Sequence, residues 1–90
     1  IGLTIVDLKD VDKRRLEVGK GVLVTQVYPG AARLAGIQRG DVLTDVDGEA
    51  IISTEQLERL VAALPDGISV HIRIVRNKRP RYLALKVPSI

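Results

Sequence analysis

The chain has 90 residues, a formal net charge of +3 and almost no aromatic side chains, Tyr28 and Tyr82 alone. That length holds one domain, spanning residues 1–90, built on a core of Val, Ile, Leu and Ala. The absence of cysteine excludes disulfides, thiolate metal sites and a cysteine nucleophile, and no apolar run reaches the roughly 18 residues needed to cross a bilayer. Lacking an initiating Met and opening on an apolar strand, the chain reads as a fragment of a larger protein.

In chain order, Leu3-Thr4-Ile5-Val6 reads as a short strand. Asp7 to Val18 is charged, and Asp10 or Asp12 is placed to cap a short helix through Arg14, Arg15 and Leu16. Val22–Val27 is β-branched and apolar, a strong strand ended by Tyr28-Pro29-Gly30. Ala31–Ala35 makes one or two helical turns closed by Gly36. Val42–Val46 is a strand with Val42, Thr44 and Val46 on one face and Leu43 and Asp45 on the other. Asp47-Gly48 is a tight turn leading to a brief extended piece at Ala50–Ile52. Ser53 with Gln56 three residues on fits a capping box, and Leu57, Leu60, Val61 and Leu64 form the apolar stripe of a helix stopped by Pro65-Asp66-Gly67. Ile68–Ile74 and Arg81–Val87 alternate as a hairpin around Asn77-Lys78-Arg79-Pro80. The elements predict a mainly β, α+β fold: a partly open antiparallel barrel or sandwich of five to six strands, capped by one long and one short helix. An open edge beside a helix is a peptide site.

Several constellations carry no chemistry. Ser69 and His71 share a strand face but lack a nucleophile elbow, and no second histidine exists. Asp45-x-Asp47-Gly48 imitates the start of a calcium loop, but its twelfth position is Gln56 rather than Glu. No catalytic residue, metal site or cofactor is expected. Residues 67–90 hold six basic side chains and no acid, which reads as a solvated hairpin, and the scarcity of aromatics disfavours nucleic acid.

Gly21–Val27, Pro29-Gly30-Ala31-Ala32, Ala35-Gly36-Ile37-Gln38-Arg39-Gly40-Asp41-Val42-Leu43 and Val46–Ile51, followed by the helix from Ser53, together resemble a PDZ domain over nearly the whole chain. The order resembles the permuted bacterial type of the periplasmic HtrA/Deg (protease Do) serine proteases, and the Leu3-to-Leu16 segment resembles their second PDZ domain more than their first. The resemblance implies a module that grips C-termini of unfolded or misfolded envelope proteins in the periplasm. It implies a carboxylate loop at Ile1-Gly2-Leu3, a strand through Thr4, Ile5 and Val6 that pairs with the peptide, and a groove wall of Thr54, Glu58 and Val61, with Leu57 touching both groove and core. Thr54 stands where animal domains selecting Ser or Thr carry His, so that preference is not carried over. Glu58 is either an exposed rim charge or a selector for basic or polar ligand residues. The implied partners also include the protease domain, another PDZ domain and an oligomer of the parent chain, with neither nucleic acid nor membrane insertion. The alternatives are a structural domain for inter-subunit assembly, or a module of another envelope system such as a site-2 protease. The apolar terminus Ser89-Ile90 is a candidate mock ligand for a neighbouring groove.

Overall fold

A computed structural model describes residues 2–87. Nine elements follow one another: β1 (Leu3–Asp7), α1 (Asp10–Leu16), β2 (Val22–Val27), α2 (Ala31–Ala35), β3 (Val42–Val46), β4 (Glu49–Ala50), α3 (Thr54–Ala62), β5 (Ser69–Arg76) and β6 (Arg79–Lys86). The strands make one open antiparallel sheet in the order β1-β2-β3-β5-β6, with β4 attached to β3. The two ends of this path, β1 and β6, are its free edges.

The core is aliphatic, as the composition demands. Val22 and Val24 from β2, Leu43 and Val46 from β3, Val70, Ile72 and Ile74 from β5, and Leu85 from β6 meet Ala32 of α2 and Leu57 of α3. Burying such side chains contributes roughly 1.5–3 kcal/mol each before the entropy of ordering is set against it.

Five details depart from the sequence reading. The described residues hold three helices where the fold class counted two, the short helix expected through Leu16 being present as Asp10–Leu16. Neither Asp10 nor Asp12 caps it: Lys9 is the last extended residue, and both aspartates sit in the first turn, where their charge favours the helix dipole. There Asp12 accepts a 3.4 Å hydrogen bond from the Lys9 backbone N–H. In β3 the two-residue alternation breaks, since a register shift between Leu43 and Asp45 brings both Leu43 and Val46 into one core. The extended piece after the Asp47-Gly48 turn is Glu49–Ala50 rather than Ala50–Ile52, with Ile51 already folded inward. The β5–β6 hairpin turns on Asn77 and Lys78 alone, at φ 51° and 65°, so Pro80 joins β6 opposite Val75. Both central residues of that turn have positive φ, the two-residue geometry that suits the sheet's twist.

Helix α3 is capped as its sequence implies. The Ser53 hydroxyl accepts a 3.1 Å hydrogen bond from the Gln56 N–H. The Gln56 side chain reaches back to Ile52 instead of Ser53, its Oε1 accepting from the Ile52 N–H at 2.7 Å while its Nε2 donates to the Ala50 carbonyl at 2.8 Å. These bonds fix how the chain enters α3 and hence how the helix lies beside β1.

Candidate functional site

The candidate site is the free edge of β1. Two backbone acceptors show which way the strand faces. The Gly2 carbonyl accepts from the Tyr28 N–H at 2.8 Å, and the Thr4 carbonyl accepts from the Thr25 hydroxyl at 3.2 Å. Both therefore point towards β2. Backbone groups of a strand alternate in direction, so Leu3 and Ile5 turn theirs to the unpaired side. The register shift opposite Thr4 and Ile5 leaves Thr25 as an extra residue of β2, so β1 itself keeps its regular alternation.

The side chains follow the same alternation. Leu3 and Ile5 are half-buried and pack against the core, whereas Thr4 and Val6 are exposed. Gly2 enters the strand at φ +82°, a left-handed conformation, and a Cβ there would lie 3.3 Å from the Tyr28 carbonyl oxygen. Glycine is thus required for the bend that opens β1. Ile1 and the Ser89-Ile90 terminus lie outside the described residues.

Helix α3 forms the second wall. Thr54 and Val61 are half-buried, Glu58 is exposed and Leu57 is buried, 3% exposed, in the core. Leu60 and Leu64, from the apolar stripe of the helix, are partly buried against the same cluster. One residue the sequence reading missed ties the two walls together. The Asp7 carboxylate accepts a 2.7 Å hydrogen bond from the Thr54 backbone N–H, across 47 positions of chain. It satisfies a donor that the helix leaves free at its first turn. The signal was available: Asp7 lies two residues beyond Ile5 and so faces α3 as Ile5 does.

The residues set aside in the sequence are held in structural contacts. Asp47 Oδ1 accepts from the His71 backbone N–H at 2.7 Å, and the Asp47 N–H donates to the His71 carbonyl at 2.7 Å. Asp45 lies 2.8 Å from Lys20 Nζ and 3.8 Å from Arg73 Nη1. Burial alone would raise its pKa, but hydrogen bonds from Lys20 and Thr44 and the charges of Lys20 and Arg73 prevail, holding the carboxyl below its ordinary value of 3.8. Of the basic hairpin residues, Arg73, Arg76 and Lys78 pair with Asp45, Asp41 and Glu17 from elsewhere in the fold, so half of that charge is compensated internally.

Comparison with known proteins identifies the family and the fold. The PDZ domain family matches residues 23–76. A probable periplasmic serine endoprotease DegP-like of Hahella chejuensis is 36% identical over 87 residues, covering 97% of this chain and 19% of that protein. Its counterpart in Pseudomonas fluorescens is 33% identical over 87 residues, covering 97% and 18%. The chain thus spans about a fifth of the length of these curated relatives. Among solved structures, a variant of the HtrA-type protease AlgW with decapeptide is 26% identical, with a TM-score of 0.92 over 97% of this chain and 27% of that one. The HtrA3 PDZ domain bound to a phage-derived ligand shares the fold, with a TM-score of 0.83, 21% identity and coverage of 96% and 81%.

Proposed function

The chain belongs to the PDZ domain family, and we propose that it is the peptide-binding module of a periplasmic HtrA/DegP-type serine protease. It corresponds to the PDZ region of such enzymes and not to their catalytic domain. In this reading it takes the apolar C-terminus of an unfolded or misfolded envelope protein as an added strand and presents that protein to the protease. The observation that carries the reading is the unpaired edge of β1, opened by the left-handed Gly2 and walled by α3.

The physics of recognition follows from that edge. Leu3 and Ile5 offer backbone groups to a peptide antiparallel to β1, and main-chain pairing tolerates any sequence. The bend at Gly2 supplies N–H groups at the end of the strand for a terminal carboxylate. The half-buried Leu3 and Val61 border the place of the ligand's last side chain.

The test is a titration of an eight-residue peptide ending in Val against the 90-residue chain. Binding at a Kd of about 1–10 μM, near −7 to −8 kcal/mol, is expected. Amidating the terminus should weaken it at least about tenfold. An amide that binds as well as the free acid would overturn the carboxylate assignment.

A second role, contact between subunits of the parent protein, is favoured by a different surface. A hollow of about 490 Å³ lies between α2 and β6, lined by Gly30, Ala31, Leu34, Ala35, Ala84 and Val87 together with the charged Lys86, and Leu34 on its rim is 89% exposed. Leu34→Asp should then shift the size of the full-length assembly in sedimentation while leaving peptide affinity unchanged.

A further inference from the structure

We propose that the groove selects ligands by charge, favouring a lysine or arginine at the third residue from the peptide's end, through Glu58 and Asp7. The inference rests on the peptide-binding reading of the β1 edge and adds to it the chemistry of the ligand.

Three observations converge on it. Leu3, Ile5 and Asp7 lie on one face of a regular strand. The 2.7 Å hydrogen bond from the Thr54 N–H fixes Asp7 Oδ1 at the first turn of α3, so this face closes on the helix. Glu58 follows Thr54 by four residues, on the same side of the helix about 6 Å along. A peptide antiparallel to β1, ending beside Leu3, places its third-last residue opposite Ile5, on the stretch of groove that these two carboxylates border.

The charges there lack compensation. Among the described residues no lysine or arginine nitrogen lies within 4.0 Å of either the Asp7 or the Glu58 carboxylate, whereas Asp12, Glu17, Asp41, Asp45 and Glu55 all have such a partner. The segment from Gly2 to Leu8 contains no basic residue, and neither does the Thr54, Glu58, Val61 stripe. Arg59 belongs to another stripe, beside Glu55 at 3.8 Å. The Asp7 hydrogen bond engages one of its two oxygens, which leaves the second as an acceptor. A ligand cation lying between the strand and the helix therefore meets two acceptors, and a ligand carboxylate there meets two like charges. Exposed pairs of this kind are each worth about twofold to fivefold in affinity.

The experiment uses three otherwise identical eight-residue peptides ending in Val, with Lys, Ala or Glu third from the end, titrated into the 90-residue chain by calorimetry at low and high salt. Binding is expected in the order Lys, Ala, Glu, with about tenfold between the extremes at low salt and less at high salt. Glu58→Gln should reduce the Lys-over-Glu ratio to about threefold, and the further change Asp7→Asn should bring it close to one. Asp7→Asn keeps a carbonyl oxygen for the Thr54 N–H, so the wall geometry is retained. Equal affinity for the three free-acid peptides, with the amidated control failing to bind, would overturn charge selection while sparing the groove. A ratio that survives both substitutions would also overturn it. Failure of every peptide to bind, or insensitivity to amidation, would overturn the groove reading and this inference with it.

Discussion

Replacing Arg76 by Ala should remove a large part of this domain's stability. The Asp41 carboxylate is 1% exposed. It accepts from Arg76 Nε at Oδ1 and from Arg76 Nη2 at Oδ2, both at 2.8 Å, and from the Gln38 N–H at 2.8 Å. Arg76 Nη2 also donates to the Gly36 carbonyl at 2.8 Å, so a single guanidinium ties the end of α2, the start of β3 and the end of β5. The hydrogen bond to Asp41 raises the Arg76 pKa above its ordinary value despite the opposing effect of burial, and the side chain remains charged throughout the accessible pH range. Without it, a buried carboxylate keeps one donor of three. Breaking such a pair from one side costs about 3–5 kcal/mol. A domain of this size has roughly 5–13 kcal/mol in total, and each kilocalorie shifts Tm by about 4–8 °C. Arg76→Ala should therefore melt at least about 12 °C lower. Far-UV circular dichroism with urea and heat is the suitable assay, because two tyrosines make fluorescence weak. If an orphaned charge is the cause, adding Asp41→Asn to Arg76→Ala should restore about 1–2 kcal/mol. A loss below about 1 kcal/mol in the single variant, or no recovery in the double, would refute the reasoning. The pair also bears on the site. The Asp41 carbonyl accepts from the Val24 N–H at 2.9 Å and the Gly40 N–H donates to the Val24 carbonyl at 2.8 Å, anchoring β2, the strand on which β1 hangs.

Gly2→Ala forces φ +82° on a residue with a Cβ, a cost of about 1–2 kcal/mol, against the Tyr28 carbonyl. Peptide affinity in a calorimetric titration should fall about tenfold while Tm falls by about 4–16 °C, and an unchanged Kd would contradict the role given to this bend. Asp45 supplies a pH dependence. Its folded pKa lies below the unfolded 3.8, so its contribution is fully present above that value and is lost as pH falls through the lower, folded one. Lys20→Met removes its 2.8 Å partner. The drop in urea midpoint between pH 5 and pH 3 should accordingly be smaller in that variant, and equal drops would rule Lys20 out as the cause.

Much of the fold was legible because local signals and burial agree. Val22–Val27, Ala31–Ala35 and Val42–Val46 were bounded to the residue by glycine, proline and polar neighbours, and the Ser53–Gln56 pairing announced the start of α3. What escaped depends on contacts distant in sequence. The parity of β3 changes because β5 pairs with a shift between Leu43 and Asp45, which no alternation within Val42–Val46 reveals. The hairpin contracts to two residues because Asn77 and Lys78 both accept left-handed backbone, so Pro80 sits on a strand whose outer side needs no donor. At the site, Leu3 and Ile5 are half-buried on one face of β1 and Thr4 and Val6 exposed on the other, a division within the strand that the resemblance did not draw. The spacing of Asp7 from Ile5 marked its face of the strand, but its partner, the Thr54 N–H 47 positions away, is fixed only by the fold.

The two edges of the sheet differ in a way that bears on why β1, and not β6, receives a partner. Along β6, Arg79, Pro80, Arg81 and Lys86 place charge and a missing N–H on eight residues of outer strand. Natural sheets use these devices to refuse another strand. Leu3–Asp7 carries neither proline nor a basic residue and ends in a carboxylate already bound to α3. An edge left bare in this way risks indiscriminate pairing. Here it is short, and α3 stands beside it, so an added strand must also fit between Ile5 and Glu58 and finish at the Gly2 bend. An internal loop of a folded protein has no terminus to place at that bend, whereas the end of an unfolded chain does. The same geometry that leaves the edge open thus restricts what can occupy it, and the Asp7–Thr54 bond keeps the two walls in place before any ligand arrives.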